Sequence, residues 1–119
     1  MSTRSIVENY YKGVAKKDGW QSLIADDIAF TRPGSSTKGK DAYVEATTRF
    51  LRMVNTSSVK ELIIEDNKIF ALVHYELLSP KGNRASSDVA ELLTVKDGKI
   101  STFTIFFDTA AFREFMAQG

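Results

Sequence analysis

Residues 86–107 read SSDVAELLTVKDGKISTFTIFF. Two runs rich in aliphatic, β-branched and aromatic residues, 86–96 and 99–107, flank Asp97-Gly98. An Asp-Gly pair between such runs predicts a β-hairpin. The turn closes in one of two ways. A two-residue loop places Glu91 opposite Thr104, whereas a three-residue loop with Gly98 as a bulge places Glu91 opposite Phe103. A one-residue slip turns every side chain to the other face. The bulged register separates polarity better and is the preferred reading. It gathers Val89, Glu91, Leu93, Val95, Phe103, Ile105 and Phe107 on one face. Ala90, Leu92, Thr94, Ile100, Thr102, Thr104 and Phe106 fall on the other. Glu91 is then a carboxylate inside an apolar face, where it must be paired, solvated in a cavity or protonated. In the other register Glu91 simply faces water.

Upstream of the hairpin, residues 58–65 and 68–78 read as two more strands around an Asp66-Asn67 turn, and Pro80, Gly82 and Asn83 mark the next reversal. The first half is helical. Ile6, Val7, Tyr10, Tyr11 and Val14 form one stripe over a helix at 5–17, with Ser5 and Glu8 in capping-box spacing. Lys16 and Lys17 suit its negative end, and Gly19 can close it. Trp20, Leu23 and Ile24 suggest a second short helix, 28–32 a short strand, Ser35 to Lys38 a loop, and 40–54 a third helix. A closing helix capped by Asp108 or Thr109 points Phe112, Phe115 and Met116 inward. Helices followed by a strand meander predict a single α+β domain over 1–119.

The chain has 119 residues, enough for one domain. Lys plus Arg number 16 and Asp plus Glu 15, a balance that argues against bulk attraction to nucleic acid or anionic membrane. Without cysteine, disulfides, thiolate catalysis and Cys-based metal sites are excluded, and one histidine excludes a His-rich metal centre. No apolar stretch approaches the roughly 20 residues of a membrane helix. A cytoplasmic location is the expectation. Gly39-Lys40 lacks phosphate-loop spacing, so no nucleotide site and no cofactor are implied.

Several segments together resemble the SnoaL-like and ketosteroid-isomerase-like branch of the nuclear-transport-factor-2-like superfamily. They are the opening helix with Tyr10, the junction Leu23-Ile24-Ala25-Asp26-Asp27-Ile28-Ala29-Phe30, Gly39-Lys40-Asp41, and Val95-Lys96-Asp97-Gly98-Lys99-Ile100 leading to Phe106-Phe107-Asp108. The resemblance implies a cone-shaped α+β fold. In it a curved antiparallel sheet wraps three to four helices around an apolar cavity, commonly in a dimer. It also implies a small hydrophobic ligand. Ketosteroid isomerases pair a helix-one tyrosine with a late-strand carboxylic acid, kept neutral near pH 7, as the oxyanion hole. Tyr10 matches the tyrosine and Glu91 the acid. The separate base position falls on Arg32, and arginine cannot abstract a proton near neutral pH, which argues against the steroid-isomerase route.

Arg32 facing Glu91 across the cavity would hold Glu91 ionised or bind an anionic substrate oxygen. His74 titrates near neutrality and enters the cavity if the loop after β-strand 68–78 pairs Ser79 with Arg84; a one-residue change puts it outside. Asp108 either reaches the pocket mouth or caps the last helix. Trp20, Phe30, Val89, Phe103, Ile105 and Phe107 are the expected ligand-contacting walls. Tyr11 and Tyr43 read as core packing.

Two functions fit. One is a cofactor-free isomerase, cyclase or hydrolase acting on a small hydrophobic substrate, with Glu91 as acid or base, Tyr10 and Arg32 binding oxygen, and His74 or Asp108 assisting. The other is a non-catalytic ligand-binding or dimerisation module that pairs through the outer sheet face of Leu92, Ile100, Thr102 and Phe106. Convergent polar groups in an open pocket favour the first, and a sealed apolar pocket favours the second.

Overall fold

In the computed structural model, which describes residues 2–118, the sheet has six strands. They are β1 (Ile24–Arg32), β2 (Ser35–Lys38), β3 (Val54–Glu65), β4 (Lys68–Leu78), β5 (Arg84–Lys96) and β6 (Lys99–Phe106), in the order β2-β1-β6-β5-β4-β3. Neighbours run antiparallel except β1 and β6, which are parallel, so the sheet is mixed. Three helices complete the α+β cone: α1 (Thr3–Lys16), α2 (Lys40–Leu51) and α3 (Thr109–Gln118). No helix among the described residues is long and apolar enough to cross a membrane.

The decisive hairpin takes a third course. Lys96 pairs with Lys99 across a two-residue Asp97-Gly98 turn, whose positive φ angles of 52° and 78° suit the right-handed strand twist. Val95 then faces Ile100, but Thr94 faces Thr102, so Ser101 is an extra residue on β6. Its hydroxyl donates to the Thr94 carbonyl at 3.2 Å. Beyond this bulge Leu93 faces Phe103 and Glu91 faces Ile105. Glu91 therefore shares the inner face with Val89, Leu93, Val95 and Phe103, as the preferred reading expects, but the added residue lies at Ser101 and not in the turn. The difference relocates Ile100. Expected on the outer face, it pairs with Val95 and is fully buried, because both Ile100 and Phe103 point inward on either side of the bulge.

Elsewhere the tertiary partners move element boundaries. The expected second helix is a single 3-10 turn at Gln21–Leu23, and Ile24 already begins β1. Ser35 to Lys38, read as a loop, pairs with Ala29–Arg32 as β2. The third helix stops at Leu51, and β3 starts at Val54. The cap of α1 is Ser2, whose hydroxyl accepts from the Ser5 amide at 3.1 Å; Glu8 instead lies 3.8 Å from Arg4. Lys17, in the left-handed region, closes the helix before Gly19. A Cβ on Gly13 would stand 2.8 Å from the Trp20 amide nitrogen, so only glycine lets the chain double back and seat Trp20 on α1.

The stripe of Ile6, Val7, Tyr10, Tyr11 and Val14 packs into the concave face of the sheet. Helix α2 is tied to β1 by the Gly39 amide, which donates to the Ile28 carbonyl at 2.8 Å, and it contributes Tyr43 and Leu51 to the core. At the open end α3 buries Phe115, half-buries Phe112 and leaves Met116 exposed.

Candidate functional site

Alternation along β5 carries Val89, Glu91, Leu93 and Val95 inward. At Glu91 the ladder places Ala71 of β4 on one side and Ile105 of β6 on the other. Glu91 is only 3% exposed. Its two carboxyl oxygens are divided between two hydroxyls: Tyr11 of α1 donates to Oε1 at 2.6 Å, and Tyr75 of β4 donates to Oε2 at 2.8 Å. Burial raises its pKa from 4.5 to about 7, and the two tyrosine hydrogen bonds pull in the opposite direction without cancelling it. Near neutrality the group therefore exchanges a proton readily.

Beside this triad, Tyr10 and Tyr43 join hydroxyl to hydroxyl. Burial first, then the neighbouring phenols and Glu91, holds Tyr10 well above the usual tyrosine range; burial likewise raises Tyr11, Tyr43 and Tyr75. All four remain neutral donors. The Tyr43 ring packs edge-on to Phe30 at 5.1 Å between centroids and lies 5.6 Å from Phe103, which extends the aromatic wall. Glu91, Tyr75, Tyr10 and Tyr43 form the floor of an open cavity of about 740 Å³, whose wall does not include Tyr11. Its walls include Phe30, Val89, Phe103, Ile105 and Phe107, all expected contacts, and α3 contributes Phe112 and Phe115.

Residues 7–103 match the family model described as SnoaL-like domain. The chain belongs to that family. The fold of this SnoaL-like domain matches an NTF2-like protein of Burkholderia thailandensis with a TM-score of 0.85, at 20% identity over 98% of each chain. It also matches a protein of Kribbella flavida with a TM-score of 0.82, at 23% identity over 97% of this chain and 96% of that one. A third neighbour is TerC, co-crystallised with polyporic acid, with a TM-score of 0.80 and 21% identity over 97% of this chain and 98% of that one. Comparison with curated proteins gives no match.

Not every expected site residue of the SnoaL-like domain reaches the cavity. Tyr10 does, but its hydroxyl partner is Tyr43; the tyrosine on Glu91 is the next residue, Tyr11. Arg32 lines the cavity near its mouth, with its guanidinium carbon 5.8 Å from the Phe30 ring centroid. It makes no ion pair with Glu91, whose oxygens are held by the two phenols. His74 faces outward. Leu78, not Ser79, pairs with Arg84, which sets His74 opposite Asp88 and turns Ala71, Val73 and Tyr75 inward. Its Nδ1 lies 2.7 Å from Asp88 Oδ1 and its Nε2 contacts Glu76; those bonds, Asp88 first, raise its pKa above 6.5. Asp108 caps α3, accepting from the Ala111 amide at 3.0 Å, and stays off the cavity wall. Trp20 is core and not wall. It packs edge-on against Tyr10 and Tyr43, and its Nε1 has no hydrogen-bond partner among the described residues.

Tyr75 is absent from the site read in the sequence, and Tyr11 and Tyr43, read there as core packing, also belong to the site: Tyr11 bonds Glu91, and Tyr43 bonds Tyr10 and lines the cavity. The face of Tyr75 is set by the length of the 79–83 loop, and a one-residue choice there separates it from Glu91. Tyr11 is visible on the helix stripe. A second tyrosine adjacent to Tyr10 is the only signal that the phenols divide between two partners.

Proposed function

We propose that the cavity binds a small, largely apolar molecule bearing a carbonyl or hydroxyl oxygen and that Glu91 performs cofactor-free acid–base chemistry on it. The observation that carries this reading is a proton-exchanging carboxyl at the floor of an open apolar cavity, held by two phenols. As a carboxylate, Glu91 removes a proton from carbon next to the carbonyl and becomes the neutral acid. The electron pair moves to the carbonyl oxygen, where the Tyr10–Tyr43 hydroxyl pair stabilises the enolate. Return of the proton to a different atom is isomerisation, and attack of the enolate carbon on a second carbonyl is cyclisation. Support also comes from TerC, of the same fold, co-crystallised with polyporic acid.

The test is solvent-deuterium exchange into a cyclic aromatic ketone such as tetralone, followed by proton NMR. Wild-type protein accelerates exchange, and Glu91→Gln lowers the rate by on the order of 10²-fold or more with an unchanged circular-dichroism spectrum. Exchange at the wild-type rate in the Gln variant removes Glu91 from the chemistry and leaves a binding module.

We also propose a homodimer through the outer sheet face. Ile63, Leu92 and Phe106 are 59%, 45% and 54% exposed there. Phe70 and Leu72 lie between them on the ladder, opposite Leu92 and Ala90. A continuous apolar strip of this kind is unusual on a monomer surface. The polar set of Lys60, Asp88, His74, Glu76 and Ser86 borders it. Sedimentation equilibrium is expected to give twice the chain mass, and Leu92→Lys with Phe106→Lys to give a folded monomer. A wild-type monomer at all concentrations refutes the pairing.

A further inference from the structure

The charge around the cavity is unevenly placed. Besides Glu91 on the floor, the charged side chains lining it are Arg32, Arg49, Arg52 and Glu45. Glu45 is engaged by Arg49 at 2.6 Å, one turn along α2. Arg52 follows the C-terminal end of α2, where the helix dipole favours a cation. Arg32 has neither form of compensation. It ends β1, closes the β1–β2 hairpin opposite Ser35, and lies on the Phe30 ring. Among the described residues no carboxylate lies within 4.0 Å of Arg32 or Arg52. A protein with a formal charge of only +1 thus carries two guanidinium groups without a carboxylate partner on the wall of its large apolar cavity.

We infer that the ligand is an amphipathic anion, with its apolar body in the cone above Glu91 and its acid group docked on Arg32, with Arg52 as the second cationic contact of the mouth. This rests on the cavity being a small-molecule site. A guanidinium is suited to the role because its planar donor fork matches a carboxylate or enolate and its charge persists at any working pH. Arg32 and Arg52 are both exposed, so this cationic rim draws anions to the entrance, and the Phe30 ring beneath Arg32 gives the ligand's apolar body a surface next to the charge. The arrangement also orients the ligand. An acid group that descended to the floor would meet Glu91, which carries negative charge whenever it is ionised, so repulsion at one end and attraction at the other select one direction of entry. Arg32 is by this account a specificity-determining residue for ligand charge.

The test compares naphthylacetate with the neutral naphthylethanol by titration calorimetry. It is run near about pH 6, where Glu91 is mostly neutral and the probe's carboxyl is ionised. The acid is expected to bind on the order of tenfold tighter than the alcohol at low salt. Added salt should weaken the acid alone. Arg32→Gln is expected to remove most of the preference and Arg32→Gln with Arg52→Gln all of it, by weakening the acid more than the alcohol. Glu91→Gln is expected to keep the preference, which separates this inference from the acid–base reading. Equal affinities for the two probes, or a preference that survives both arginine substitutions, overturns the inference while leaving the cavity a binding site. Binding of neither probe overturns both.

Discussion

Replacing Glu91 with Gln is expected to stabilise the protein at pH values above neutrality. The folded state raises the Glu91 pKa from 4.5 to about 7, chiefly because burial disfavours the charge. Between those two values the folded chain holds a proton that the unfolded chain has released, and proton linkage then requires stability to fall as pH rises. The contribution is fully present below the unfolded pKa, declines through the folded pKa and is flat above it. With a difference of this size the loss is about 3 kcal/mol, which is roughly 10 °C in Tm for a domain of this length. Glutamine has nearly the same shape and no proton to lose, so its curve lacks this decline. Urea unfolding of both proteins across the range measures it. His74 also has a raised pKa, from its bonds to Asp88 and Glu76, and it too contributes stability that is lost as pH rises. It lies on the opposite face, is untouched by the substitution, and cancels in the comparison. Parallel curves for wild type and Gln variant would show that Glu91 is not held neutral by the fold.

The prediction depends on which way residue 91 points, and that is legible in the chain for an instructive reason. Polarity sorting on β5 and β6 requires Val89, Leu93, Phe103 and Ile105 to share a face, and Glu91 goes with them whatever device supplies the extra residue. The location of that device is not legible. Asp97-Gly98 serves equally as a two-residue turn or as part of a bulged one, and nothing in the composition of Ser101 marks it as the added residue. The cost of that ambiguity is Ile100, whose placement depends on the side of the bulge it occupies. The same arithmetic in the loop after β4 decides His74 and Tyr75 together: a four-residue loop pairing Ser79 with Arg84 would put the histidine inside, and the five-residue loop 79–83, with Leu78 paired to Arg84, puts the tyrosine there. Elements held by local pattern, such as α1 with its apolar stripe, are readable from the chain. Strand β2 is not, because Ser35-Ser36-Thr37-Lys38 has no hydrophobic pattern and is a strand only through its pairing with β1. The site is thus a register-dependent property, and its residue types are easier to name than its partners.

Removing both phenol hydroxyls tests those partners directly. Tyr11 and Tyr75 each donate to one oxygen of Glu91, and each bond favours the carboxylate over the acid. A hydrogen bond to a charged group is worth about 1.5–3 kcal/mol, which corresponds to roughly one to two pKa units. Tyr11→Phe and Tyr75→Phe are each expected to move the Glu91 midpoint upward from about 7 by that order. The double variant should move it further and keep Glu91 protonated through neutrality. The rings remain, so the aromatic packing is retained, including the edge-on contact of Tyr11 with Tyr10 at 5.1 Å and of Tyr75 with Phe50 at 5.1 Å. Carbon-detected NMR of the Glu91 carboxyl in labelled protein reads the midpoint without requiring a substrate. If Glu91 is the base, the pH profile of ketone exchange must follow the same displacement, with its rising limb moved to higher pH in step with the NMR midpoint. A midpoint that stays near 7 in the double variant would mean that solvent in the cavity, and not the two phenols, stabilises the carboxylate. A shifted midpoint with an unshifted exchange profile would separate this carboxyl from the proton transfer.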